Sequence, residues 1–132
     1  MSGDPCSASN AWYAVECETE SGFGVVTGLT LFANQLDGVI PTQVGGLTGM
    51  TNSFRFERNT LSSTIPTELG RLSLMVKTLS LDTNLLTGTI PTELGEMTGF
   101  TNLFELQVSH NICHNIRHNI RHDVRRTIRL LR

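Results

Sequence analysis

Residues 76–100 read VKTLSLDTNLLTGTIPTELGEMTGF, and the two stretches before them repeat that pattern without a gap. Residues 51–75 are TNSFRFERNTLSSTIPTELGRLSLM, and residues 26–50 are VTGLTLFANQLDGVIPTQVGGLTGM. The period is 25 residues, and a fourth block opens as TNLFELQVS over 101–109. Leu29, Phe54, Leu79 and Phe104 share a column, as do Leu31, Phe56, Leu81 and Leu106. Asn34, Asn59 and Asn84 align, then Leu36, Leu61 and Leu86, and Ile40, Ile65 and Ile90 each precede Pro-Thr. Units of this size cannot bury an apolar edge alone. They close a core by stacking on their neighbours, which makes the chain a solenoid.

The pattern inside one block sets its local structure. Leu29 and Leu31 alternate with period two, so a short strand turns both inward and Thr30 and Phe32 outward. An asparagine three places after the second apolar residue can bond backbone groups where the chain leaves the strand, and those of the next coil. Gly38 and Gly88 permit a left-handed backbone, whereas Ser63 breaks their column. Ile-Pro-Thr then opens a short helical or extended return segment, with Val44, Leu69 and Leu94 pointing back to the core.

Working outward, the charge is uneven. Residues 1–109 hold four Lys/Arg against eleven Asp/Glu, a net of −7, whereas residues 110–132 hold six Arg against Asp123, a net of +5. No apolar run approaches the ~18 residues of a membrane-spanning helix. Met1 to Cys6 show neither the charged nor the apolar stretch of a signal peptide. Of three cysteines, Cys6 and Cys17 precede the first block and Cys113 lies in the basic part. Cys6 and Cys17 are either two free buried thiols or a bridge; a bridge stabilises by roughly 3 kcal/mol where the compartment is oxidising.

The continuation Asn84-Leu85-Leu86-Thr87-Gly88-Thr89-Ile90-Pro91-Thr92-Glu93-Leu94-Gly95 resembles the plant-type subclass of leucine-rich repeats. One residue more than the usual plant-type block stands ahead of the strand, a variant similar to algal and protist repeats. Asp4, Pro5, Cys6, Trp12, Val15 and Cys17 resemble the plant-type N-terminal cap, with Ala14 in place of a glycine. The resemblance implies an α/β fold: short parallel strands on a concave face, with irregular or 3-10 return segments on the convex face. It further implies a Cys6–Cys17 disulfide, a tryptophan covering the first coil, and a place outside the cell or on its surface. The chain divides into a cap segment (1–25), three full repeats and one partial repeat (26–109), and a His/Asn/Ile/Arg tail (110–132).

The tail has a period of four. Ile112, Ile116, Ile120, Val124 and Ile128 form an apolar stripe, flanked by arginines and by His110, His114, His118 and His122. It reads first as an extension covering the last coil. Its arginines also suit an anionic surface, and its histidines a divalent metal face that lacks a third ligand.

No catalytic constellation stands out. Glu68 and Glu93 share a column on the return segment, but that segment is solvated and Glu68 can pair with Arg71. Gly22-Phe23-Gly24 is not a dinucleotide loop, because Gly28 falls one place late and no strand precedes it. The expectation is a non-catalytic protein or peptide binder without cofactor or metal, readable as the remnant of a receptor-like ectodomain. Nucleic acid is not an expected partner, and the sequence sets no oligomeric state. The ligand face is expected at Phe32, Arg55, Glu57, Arg58, Ser80, Asp82, Glu105 and Gln107, with Asn34, Asn59 and Asn84 structural. The alternatives are a surface-binding solenoid for polysaccharide or ice, using Thr42, Thr67 and Thr92, or a truncated non-functional copy.

Overall fold

The computed structural model describes residues 4–7, 12–20, 23–97 and 105–107. Strands β1 (Val15–Glu20), β2 (Phe23–Thr30), β4 (Ser53–Arg55), β6 (Thr78–Ser80) and β8 (Glu105–Gln107) form one sheet in the order β1-β2-β4-β6-β8. β1 is antiparallel to β2, and every other pair is parallel. Strands β3 (Asp37–Val39), β5 (Thr60–Thr64) and β7 (Leu85–Thr87) form a second parallel sheet. The first sheet is the expected concave face. The second sheet has no counterpart in the sequence reading, because its strands carry no clean alternation.

The return segments are 3-10 turns at Thr42–Gly46, Thr67–Arg71 and Thr92–Glu96, each entered from an extended proline. Their bonds run three residues apart: Val44 N–H to Pro41 O, Leu47 N–H to Val44 O, and Met50 N–H to Leu47 O. The second coil repeats this at Leu69, Leu72 and Met75. With three residues per turn, positions three apart eclipse on one side. That places Leu69, Leu72 and Met75 in the core, all fully buried. A five-residue segment has no room for a longer α-helix.

The core is a stack of the aligned columns. Phe54, Leu79 and Leu81 are fully buried and Phe56 nearly so, while Leu29 and Leu31 of the first coil are half-buried against them. The Phe54 and Phe56 rings stack with centroids 4.3 Å apart. Ile40, Ile65 and Ile90 close the lateral side, and Val44, Leu69 and Leu94 the convex side. Each buried aliphatic side chain stabilises by roughly 1.5–3 kcal/mol.

The asparagines form a ladder, but it points backward. Asn59 Oδ1 accepts from the backbone N–H of Asn34 and of Leu36, and its amide donates to Leu31 O. Asn84 likewise accepts from Leu61 N–H and donates to Phe56 O. Asn59 and Asn84 also bond the carbonyls where their own strands end, as expected, but beyond their own coil they serve the preceding one rather than the next. Asn34, in the first repeat, is exposed.

Three further expectations change. Ser63 keeps the left-handed backbone of its column (φ 69°), beside Gly38 (99°) and Gly88 (84°), because pairing between β5 and β7 dictates that turn. The fourth strand pairs Leu106 with Leu79, not with Leu81. A two-residue shift keeps the strand's in–out alternation, whereas a one-residue shift would invert it. A strand, β1, does precede Gly22-Phe23-Gly24. It runs into the antiparallel β2 and not into a helix, so the segment is still no dinucleotide loop.

At the N-terminal end Cys6 and Cys17 are disulfide-bonded, as the cap resemblance implied. Trp12 is half exposed rather than covering the first coil (48%). Val15 N–H bonds Trp12 O, closing a turn in which Ala14 takes φ 70°. That conformation suits glycine, and a non-glycine residue there costs roughly 1–2 kcal/mol. Ala14→Gly should therefore raise stability by about 0.5–1 kcal/mol in urea unfolding, once the lost chain stiffness is subtracted. A drop on substitution would show that the turn is not strained.

Candidate binding face

Parallel pairing extends past the regular strands and sets the geometry of this face. Thr30, Arg55 and Ser80 are in register across β2, β4 and β6. Beyond them, Ala33 N–H bonds Glu57 O and Arg58 N–H bonds Asp82 O, at 3.0 and 3.1 Å. Phe32 thereby lies one strand spacing from the Glu57–Arg58 segment. Its ring is 44% exposed. The Arg58 guanidinium carbon lies 5.4 Å from the ring centroid and that of Arg55 lies 6.0 Å away. At exposed sites such a cation–ring contact stabilises by about 0.5–1 kcal/mol.

The two arginines are not equivalent. Arg55 Nη2 donates to Glu57 Oε1, and the pair is an ion pair. Arg58 makes no ion pair among the described residues. Glu57 was expected to face a ligand, but its side chain is only 7% exposed. Residues 55 and 57 fall on one side of an extended chain, so the arginine covers the carboxylate and compensates its burial. Among the described residues, Glu57 Oε2 has no hydrogen-bond partner and no contact with solvent.

Ser80, also expected to face a ligand, is buried (2%) in the middle of the sheet. Its hydroxyl donates to Asp82 Oδ1, and the Thr83 hydroxyl donates to Asp82 Oδ2. Asp82 is partly exposed with both oxygens engaged. Glu105 and Gln107 have only their backbone pairing described, opposite Thr78 and Ser80. Of the expected residues, the structure brings Phe32, Arg55 and Arg58 together at an accessible surface. Glu57 and Ser80 lie beneath it. Cys113 and the whole tail, with its histidines and arginines, lie outside the described residues.

Truncating Arg55 is consequently not a neutral surface change. Removing one member of a pair whose partner is buried exposes the cost of that lone charge. Arg55 is itself half exposed, which moderates the effect. Arg55→Ala should cost about 1–2 kcal/mol in urea unfolding, and Arg58→Ala about 0.5 kcal/mol or less. Equal losses for the two would mean that the ion pair has no structural role.

The return segments offer less. The Thr67 and Thr92 hydroxyls donate to the neighbouring Glu68 and Glu93 carboxylates, at 3.3 and 3.4 Å. Glu68 therefore pairs with Thr67 and not with Arg71, because the adjacent hydroxyl is already within reach. Two of the three threonine hydroxyls in that ladder are turned to their own chain. Among the described residues no helix is long and apolar enough to cross a membrane.

Residues 75–97 match the family model described as Leucine Rich Repeat. The chain is similar to a structure of the BIR3–SERK2 complex from Arabidopsis thaliana, with 30% identity and a TM-score of 0.59 over 72% of this chain. It is also similar to the leucine-rich-repeat ectodomain of the receptor kinase SOBIR1 from the same plant, with 22% identity and a TM-score of 0.60 over 89%. The BIR2 ectodomain, also from Arabidopsis thaliana, follows at 19% identity and a TM-score of 0.51 over 73%. The last two likenesses show the fold. The chain spans 52%, 66% and 65% of those three structures in turn. No curated protein matches the sequence. Residues 75–97 carry a leucine-rich repeat, and the fold is a leucine-rich-repeat solenoid similar to those of these plant receptor ectodomains.

Proposed function

We propose that the chain is a non-catalytic module that binds an acidic protein or peptide segment across its concave face, with Phe32 and Arg58 as anchors. One observation carries this reading. Phe32 and Arg58 lie together at the surface, and among the described residues neither the core nor an ion pair asks for them. Aromatic and arginine side chains dominate interface energies, and a guanidinium held over a ring retains donors for a carboxylate. Arg55 contributes charge while steadied by Glu57. The likeness to receptor ectodomains supports a protein partner, a cell-surface or extracellular setting, and an origin in a longer receptor-like protein. The division at residues 25 and 109 belongs to the same reading, with the tail outside the binding face. The test is selection of peptides from a display library on the folded chain. Enriched peptides should be acidic, and a Phe32→Ala, Arg58→Ala double variant should lose them with little change in melting temperature. Peptides retained by that double variant would place binding elsewhere.

A further inference from the structure

The binding face continues onto the cap. Val15 pairs with Leu29, and Thr30 N–H bonds Ala14 O at 2.8 Å, so the ladder between β1 and β2 runs on to the turn Trp12–Val15. That turn ends beside the end of β2, where the chain passes through Leu31 to Phe32. Tyr13, at its tip, is 95% exposed, and Trp12 is half exposed. The order across the sheet end is therefore Trp12–Tyr13, then Phe32, then Arg58. Neighbouring strands lie ~4.8 Å apart, so the row extends over roughly 10 Å, the length of about three extended residues.

Resting on the acidic-segment reading, we propose that the Trp12–Val15 turn is the aromatic half of that site. The occupant is a linear acidic segment. Its carboxylate pairs with Arg58, and an aromatic or apolar side chain about two residues away lies on Tyr13 and Trp12. Charge complementarity sets the acidic end at Arg58, while the cap end of the row offers ring surface. The turn is held by the left-handed Ala14 at one side and by the bond from Trp12 N–H to Pro5 O at the other. Both rings are thus presented on a fixed backbone, which lowers the ordering cost of binding.

The test uses two fluorescein-labelled synthetic peptides, one of repeated Phe-Ser-Glu-Ser units and one of repeated Ala-Ser-Glu-Ser units, titrated against the full chain by anisotropy. Their charge is equal, so attraction by the arginines of residues 110–132 cancels in the ratio. The chain should bind the phenylalanine peptide about tenfold more tightly, as expected for one aromatic anchor. Tyr13→Ala should bring the ratio close to one at unchanged melting temperature, and Tyr13→Phe should restore it. Arg58→Ala should weaken both peptides alike. A ratio that Tyr13→Ala leaves intact, or a ratio near one in the unaltered chain, overturns the aromatic half alone. If Arg58→Ala also leaves both affinities unchanged, the acidic-segment reading falls with it.

Discussion

Asn59→Ala should lower the stability of the chain by about 3–5 kcal/mol, read as a shift of the urea midpoint in circular dichroism. The side chain accepts hydrogen bonds from Asn34 and Leu36 N–H and donates its two N–H groups to Leu31 and Phe56 O, one of them shared with Glu57 O at 3.3 Å. The residue is 8% exposed, so water cannot replace most of them. A buried donor or acceptor left without a partner costs about 1–3 kcal/mol, and several are orphaned at once. Asn34→Ala is the control, because Asn34 is exposed, and should cost less than about 1 kcal/mol. Similar losses at both positions would show that the ladder is not what joins the coils.

Gly70→Ala should destabilise by about 2–3 kcal/mol, while Gly46→Ala should be neutral or stabilise by up to about 1 kcal/mol. A Cβ on Gly70 would lie inside contact distance of the Glu93 carbonyl oxygen, in the next coil. The two sheets hold the coil spacing on either side, so the 3-10 turns cannot part to admit a methyl group. A Cβ on Gly46, in the first turn, meets nothing within 4 Å, and alanine there only stiffens the unfolded chain. Melting temperatures of the two variants check this. Equal behaviour would mean that the turns do not stack in contact.

The repeat made most of this structure readable from its letters. A column of leucines two residues apart has one physical solution, and Phe54, Leu79 and Leu81 sit where that solution puts them. The prolines and Val44, Leu69 and Leu94 were equally plain. The 3-10 return segments were implied by the family resemblance and are found, whereas periodicity alone did not define them, because Leu69, Leu72 and Met75 recur every third residue, a period shared with helices and loops. The second sheet and the backward direction of the asparagines depend on which coil edge meets which, and no single block encodes that. On the proposed binding face, alternation alone put residue 57 outward with residue 55. The length of the arginine, which allows it to fold over its neighbour, was needed to see that one covers the other. Trp12 read as a cap residue alone, and nothing in the sequence singled out Tyr13. Only the antiparallel pairing of β1, continued by the bond from Thr30 N–H to Ala14 O, brings their turn to the end of β2.

The backward ladder couples the coils to the direction of translation. A ribosome delivers Leu31 and Leu36 well before Asn59, and Phe56 and Leu61 before Asn84. The second and third coils, as they emerge, each carry the amide that ties down the coil already made, and neither waits for a residue further downstream to secure its predecessor. The disulfide-bonded cap with its antiparallel strand is synthesised first and gives the first coil a surface to dock on. Assembly can therefore advance like a zip closed from the starting end, with each tooth cut to grip the one behind it.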